Sequence, residues 1–167
     1  IGLALVKVPQ ILCGATYQGI YVEDSPDVTI SKATIIGAGT VTAGVWNNGN
    51  PGAGMFVDGP RLVLDANTVR GFRYGIRGPL NTAGRNALGN PGLVRGNMVS
   101  DCYIGILGVT VGAVNLSANV MANCVRPMIV GEGGSTAQPA SVVGNFATGC
   151  VRPFEVGGKL IVVRPGS

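Results

Sequence analysis

Histidine is absent from the 167-residue chain, charged side chains make up 12% of it, and aromatic ones 5%. Each shortage closes a class of function. Without His there is no Ser/His or Cys/His nucleophile pair and no imidazole to hold a metal. The twelve basic residues are scattered, with few aromatics among them, so the formal charge of +4 does not make a nucleic-acid face. No apolar stretch approaches the ~18 to 20 residues of a membrane helix, because Gly, Pro, Asn and charges interrupt every run. Membrane insertion is therefore not expected. A signal peptide is lacking too, and the opening IGLALVKVP reads as the interior of a sheet. The expectation is a single domain over 1–167, the C-terminal piece of a longer chain. Its last strand and a Pro-Gly stop fall in 158–167, GKLIVVRPGS.

What is present is glycine (28), proline (10) and a large share of Val and Ile. That mixture predicts an all-β chain of strands separated by tight turns. At 46% hydrophobic with so little charge, part of the outer surface is expected to be covered rather than wet.

A repeat organises these strands. Asn67, Asn97, Asn119 and Asn145 serve as anchors, and the same frame extends upstream to Ala33 and Ile11. Three residues before the anchor stand Val8, Ile30, Leu64, Val94, Leu116 and Val142. Two after it come Cys13, Ile35, Val69, Val99, Met121 and Ala147, and five after it Thr16, Ala38, Phe72, Cys102, Cys124 and Cys150. Gly19-Ile20, Gly75-Ile76, Gly105-Ile106, Pro127-Met128 and Pro153-Phe154 follow at eight and nine, and Gly54-Met55 joins them after one insertion. Units of 22 to 34 residues built from short alternating strands suit a parallel β-helix, with coils about 4.8 Å apart and inward residues in ladders. The hexapeptide beat of a left-handed β-helix is absent, as is the leucine-rich repeat pattern.

GIYVEDSPDVTISKATIIGAG, GMFVDGPRLVLDANTV and VNLSANVMANC make the chain resemble right-handed β-helix proteins of the pectate-lyase-like superfamily, especially bacteriophage tailspikes and tail fibres. The resemblance runs from about Val6 to Val163 and is one of repeat type, with no family-specific catalytic motif. It implies a right-handed, single-stranded parallel β-helix of about six to seven coils. It also implies a homotrimer on a phage tail, or in another extracellular setting, that binds a bacterial surface polysaccharide. A polysaccharide-cleaving enzyme, hydrolase or lyase, and a secreted adhesin or autotransporter passenger segment are the alternatives on the same fold.

Function is then sought on the ladders and in the insertions. Stacked anchor amides can bond one another and the backbone at a turn, a structural use preferred over contact with sugar. The cysteines fall on inward positions; with no CxxC and no His they read as free core thiols, and neither a metal nor a cofactor is expected. Ten after the anchor, Tyr21, Phe56, Leu107 and Ile129 form an outward apolar row that predicts a self-interface, interrupted by Arg77 and closed by Glu155. The insertion over 39–53 carries Trp46, Asn47 and Asn48, and that over 79–91 carries Arg85; an aromatic face beside amides and a guanidinium suits a glycan. Ordinary turn chemistry explains the same residues. Glu23 and Asp58 share a register, with Asp24 adjacent, and a stacked pair near the ~5 to 5.5 Å of retaining glycosidases makes them the candidate catalytic carboxylates. A solvated turn is the simpler reading of EDSPD. Arg73, Arg126 and Arg152 form a basic stripe for which Glu155 is a candidate partner.

Overall fold

Alternation along very short strands decides which side chains enter the core. In Thr29–Ser31, Thr34–Ile36, Val63–Asp65 and Thr68–Arg70 only the central Ile30, Ile35, Leu64 and Val69 are fully buried, as the two-residue period requires. Residues in left-handed backbone end these strands at fixed places. Lys32, Ala66, Gly96, Ala118 and Gly144, each one before the anchor, have φ of 52 to 62°. A second set, Gly71, Asp101, Asn123 and Gly149, stands four after it with φ of 50 to 77°. The conformation costs a non-glycine residue about 1 kcal/mol or more, so its recurrence at Ala66 and Ala118 marks a bend that the packing demands.

A computed structural model describes residues 4–6, 11–12, 18–23, 25, 27–47, 52–57, 61–78, 92–108, 114–130, 140–156 and 160–162. Among them there is no helix, and the strands form three parallel sheets. The first sheet runs Ala4–Val6, Thr29–Ser31, Val63–Asp65, Gly92–Arg95, Val114–Ser117, Ala140–Val143, Leu160–Val162. The second runs Ile11–Leu12, Thr34–Ile36, Thr68–Arg70, Met98–Ser100, Val120–Ala122, Phe146–Thr148. The third runs Ile20–Val22, Ala53–Val57, Tyr74–Arg77, Ile104–Gly108, Arg126–Val130, Glu155–Val156. The chain visits first, second and third sheet in turn through six circuits and enters the first sheet a seventh time. This order is compatible with a parallel β-helix.

Inside the circuits, like residues stack. Ile35, Val69, Val99 and Met121 share one rung series, and Ile30, Leu64, Val94 and Leu116 another. All eight are buried, as are Phe72, Cys102 and Cys124 at the next bend. Each large apolar side chain so buried contributes about 1.5 to 3 kcal/mol.

The polar ladder of the anchors runs beside them. Asn67, Asn97 and Asn119 are 1, 1 and 0% exposed. The Oδ1 of Asn97, Asn119 and Asn145 accepts both the backbone N–H and the Nδ2 of the preceding anchor: Asn97 Oδ1 takes Asn67 N at 3.0 Å and Asn67 Nδ2 at 2.9 Å. The Nδ2 in turn donates to the carbonyl three before the preceding anchor, as from Asn97 to Leu64 at 3.0 Å. Asn119 and Asn145 repeat the pattern. At the other end Ala33 N donates to Asn67 Oδ1 at 3.0 Å. The expected role of these amides is thus observed, and their burial leaves Asn67, Asn97 and Asn119 no surface to offer a sugar.

Two parts of the sequence frame are corrected. In the first circuit Leu5, not Val8, pairs with Ile30, and Ile11, not Cys13, pairs with Ile35. The frame there had no Asn to fix it, and the slips, three residues at Val8 and two at Cys13, each put one apolar residue in place of another, so apolar pattern alone cannot detect them. Val8, Cys13 and Thr16 themselves lie outside the described residues, as do Pro165 and Gly166 of the expected C-terminal stop. Ala38 is exposed rather than in the ladder five after the anchor, and Gly39 is buried beside it. The reason is that the chain leaves the circuit here into an antiparallel hairpin, Thr40–Thr42 with Val45–Asn47. Its turn residues Ala43 and Gly44 are both left-handed, at φ of 49 and 78°, the geometry of a two-residue hairpin matched to strand twist. The hairpin lies along the bends of later circuits. Asn123 Nδ2 donates to Val41 O at 3.0 Å, and a Cβ added to Gly44 would stand 2.7 Å from Val151 of the sixth circuit.

The core is not evenly filled. Where the third sheet hands over to the first, an apolar cavity of about 30 Å³ is lined by Val57, Ile76, Gly78, Val94, Gly108 and Val130 among others. A Cβ on Gly108 would meet nothing nearer than 3.9 Å, whereas one on Gly105 would stand 2.5 Å from Pro127 O and 2.9 Å from Met121 Cγ. Gly108→Ala should therefore raise unfolding free energy by about 0.5 to 1 kcal/mol, and Gly105→Ala should lower it by about 1 to 3 kcal/mol. Chemical denaturation of both variants checks this; equal effects would contradict the packing described.

Candidate functional site

The outer face of the third sheet brings together more chemistry than any other described surface. Parallel pairing puts Tyr21, Phe56, Arg77, Leu107, Ile129 and Glu155 on successive rungs of one row, as the ten-after-anchor frame expects. Burial divides that row. Phe56, Leu107 and Ile129 are 6, 6 and 3% exposed in a single chain, while Tyr21 is 54% exposed. Leu107 and Ile129 pack with Ile104, Tyr74 and Tyr103 in a small second core outside the sheet. Of the four residues expected at a self-interface, Tyr21 alone offers substantial area.

At the N-terminal end of the row the side chains stack. Tyr21 lies on Phe56 with ring centroids 4.9 Å apart and planes at 12°. On the next rung the Arg77 guanidinium sits 5.7 Å from the Phe56 centroid and 5.1 Å from that of Tyr74. Arg73, just before Tyr74 in sequence, stands over the same tyrosine at 5.6 Å. Two guanidinium groups thus converge on one ring, a cation–π arrangement worth about 0.5 to 2 kcal/mol per contact depending on exposure. Tyr21 donates from its hydroxyl to Glu23 Oε2 at 2.6 Å, which holds a carboxylate at the rim of the exposed ring.

Several of the charges elsewhere are paired. Asp27 pairs with Arg61 at one register of neighbouring circuits, Asp65 with Arg95 at another, the latter at 2.9 Å. Arg126 closes a two-pronged pair on Glu155, one arm at 2.7 Å, as the sequence suggested for Glu155. The hydrogen bond from Arg126, helped by the nearby positive charges, holds the Glu155 carboxyl below its ordinary range. Among the described residues no carboxylate pairs with Arg73 or Arg77. The Arg77 Nε is buried and has no hydrogen-bond partner, an arrangement that costs about 1 to 3 kcal/mol. The face therefore presents an aromatic plane, two unneutralised cations and one carboxylate within a few rungs.

The other sequence candidates are distributed differently. Of the proposed catalytic set, Glu23 is described and exposed on the rim above, while Asp24 and Asp58 lie outside the described residues. Trp46 sits on the hairpin opposite Val41 and is half-buried, its ring so close to Gly39 that an added Cβ would be 2.1 Å away. Asn47 is exposed beside it; Asn48 and Arg85 lie outside the described residues. Arg77 and Tyr74 were not singled out from the sequence. The signal for them was the one cation in an otherwise apolar and aromatic row.

The thiols play another part. Cys102, Cys124 and Cys150 are free and stacked at the bend after the second sheet, with Cys124 N donating toward Cys150 Sγ at 3.4 Å. Contact with the Cys102 thiol and burial push the Cys124 thiol far above the ordinary range, and contact with Cys124 does the same to Cys150. Among the described residues no three His, Cys, Asp or Glu side chains converge as a metal site would need. Cys13 lies outside the described residues.

Comparison with protein-family models, with curated proteins and with solved structures finds no match to this chain.

Because Cys102 and Cys124 are fully buried and a thiol must be reached to react, both should resist maleimide at pH 8 in the native protein and react once it unfolds. Peptide mass spectrometry resolves the two sites. Native labelling as fast as that in denaturant would mean the bend is open.

Proposed function

We propose that the chain is a right-handed parallel β-helix of the pectate-lyase-like type, acting as the glycan-binding segment of a homotrimeric phage tailspike or tail fibre. One observation carries the reading: the exposed Tyr21 ring stacked on Phe56, with Glu23 at its rim and Arg77 and Arg73 beyond it. A sugar ring presents C–H groups on one face and hydroxyls at its edge. An aromatic plane takes the first, and a carboxylate and guanidinium groups take the second. A stiff scaffold of stacked strands holds such groups in place at little entropic expense on binding.

The chemistry supports binding ahead of cleavage. Glu23 is engaged by the Tyr21 hydroxyl in a way that orients it for recognition. For the self-contact of the trimer, the outer row of the second sheet is the better-suited face. Thr34, Thr68, Met98, Val120 and Phe146 share its rungs, uncharged throughout, with Met98 51% and Phe146 60% exposed. A self-contact there leaves the third sheet open to polysaccharide.

The test is binding of bacterial surface polysaccharide by biolayer interferometry with the wild-type protein and Tyr21→Ala. Loss of one aromatic platform is expected to weaken binding about five- to tenfold, with stability lowered by about 0.5 to 1.5 kcal/mol for the lost Tyr21–Phe56 stack and the fold retained. Binding that ignores Tyr21→Ala, or no binding to any surface polysaccharide, defeats the proposal.

A further inference from the structure

We infer that the hairpin of Thr40–Thr42 and Val45–Asn47 is a strap that ties the second circuit to the fifth and sixth, so that the C-terminal circuits open only when it lets go. A strap of this kind acts whatever the third sheet binds.

A stack of repeats is held by contacts between neighbouring units, so its end units open more readily than its middle. Among the described residues every strand of the three sheets pairs only with strands of adjoining circuits, and each anchor amide reaches one circuit before and one after. The hairpin departs from that rule. At its base Gly39 N donates to Gly71 O of the third circuit at 3.0 Å, and the Trp46 ring lies against Gly39. Farther along, Val41 O accepts from Asn123 Nδ2 of the fifth circuit at 3.0 Å, across 82 residues of sequence. The same Nδ2 donates to Asp101 Oδ1 of the fourth circuit at 2.6 Å. At the tip Gly44 packs on Val151 of the sixth.

Burial identifies the gripping side. Val41 and Trp46 oppose each other on one face of the hairpin, Val41 buried and Trp46 half-buried, while Thr40, Thr42, Val45 and Asn47 are exposed. The gripping face meets the left-handed bends that stand four after the anchor, at Gly71 directly and at Asn123 through its amide. Length agrees with this placing. From the third circuit to the sixth is roughly 14 Å at about 4.8 Å per circuit, and the extended chain from Gly39 to Gly44 covers roughly 16 Å at about 3.3 Å per residue. A two-residue turn then ends the hairpin where Gly44, at φ of 78°, leaves no room for a side chain against Val151.

The experiment is native-state hydrogen exchange of the full chain, followed by NMR at the amides that tie the sixth circuit to the fifth: Phe146 to Asn119 O, Val151 to Cys124 O and Arg152 to Val125 O. Gly44→Ala sets a methyl group 2.7 Å from Val151 Cγ2 on a left-handed backbone, which lifts the tip. Asn123→Gly removes the amide that holds Val41 O and keeps a residue suited to its φ of 50°. Each variant should speed exchange at the three amides about two- to tenfold, the worth of one hydrogen bond. Val63 and Thr68, whose amides tie the third circuit to the second, should exchange as before. The double variant should exchange no faster than the faster single one, because both release the same strap. Unchanged exchange of the sixth circuit in Gly44→Ala overturns the inference. So does acceleration by the same factor at Val63 and Thr68, which would be a global loss of stability, and so does a double variant whose effects multiply, since the two contacts would then act separately. Should Asn123→Gly not fold, Gly44→Ala alone decides.

Discussion

Everything in this chain hangs on a column of amides. A parallel sheet satisfies its own backbone within strands, but at a bend between sheets the N–H and carbonyl groups turn away from their ladder and need other partners. Asn supplies them: it has one acceptor with two lone pairs and two donors. In the anchor column each of these is used, on the backbone and the amide of the circuit before and on the amide of the circuit after. The column thereby fixes which residue stacks on which. Once it is set, Ile on Ile, Cys on Cys and aromatic on aromatic follow from sequence position. The first circuit shows the converse, since without an Asn its rungs fall elsewhere than the pattern of apolar residues suggests.

The same constraint separates structure from function along the chain. The positions three before the anchor, at it and two after it are committed to the core or to the amide column, and in the four Asn-anchored circuits they hold apolar residues or the Asn itself. Positions on the third sheet's outer face are repeated in register but free in chemistry. That is why an aromatic pair, a guanidinium, two aliphatic residues and a carboxylate can follow one another down a single row. A repeat scaffold builds a linear array of side chains about 4.8 Å apart, which suits a linear polymer as ligand. The thiol stack belongs to the committed class, since its members fill a narrow bend, with Cys102 and Cys124 fully buried.

Much of this could be read from the sequence, and the part that could not has physical causes. Asn67, Asn97, Asn119 and Asn145 gave a frame from which the three sheets, the buried amide column and the row from Tyr21 to Glu155 follow correctly. Val8 and Cys13 were misplaced because no Asn fixes the first circuit, and Leu5 and Ile11 fit the apolar pattern as well as they do. The hairpin over residues 40 to 47 was read as loop, although Thr-Val-Thr and Val-Trp-Asn around Ala-Gly carry the alternation and turn of a hairpin. The search for function went to the insertions, where aromatic and amide residues stand together in sequence. The converging groups stand together only in space: Phe56, Tyr74 and Arg77 meet because successive circuits bring them to neighbouring rungs. Arg77 was visible as a charge in the row, and its contacts with the Phe56 and Tyr74 rings appear only once the circuits are stacked.

The measurement that bears most directly on the account is the equilibrium unfolding of Asn97→Ala in denaturant. Truncation takes from Asn67 N its side-chain acceptor, from Leu64 O a side-chain donor, and from Asn67 Nδ2 and Asn119 Oδ1 one of the two partners that each has. If the amide column sets the stacking, the variant loses about 2 to 4 kcal/mol of stability. A loss below about 0.5 kcal/mol, the usual effect of an inert surface change, would mean that the circuits are held by apolar packing alone and that the column is incidental.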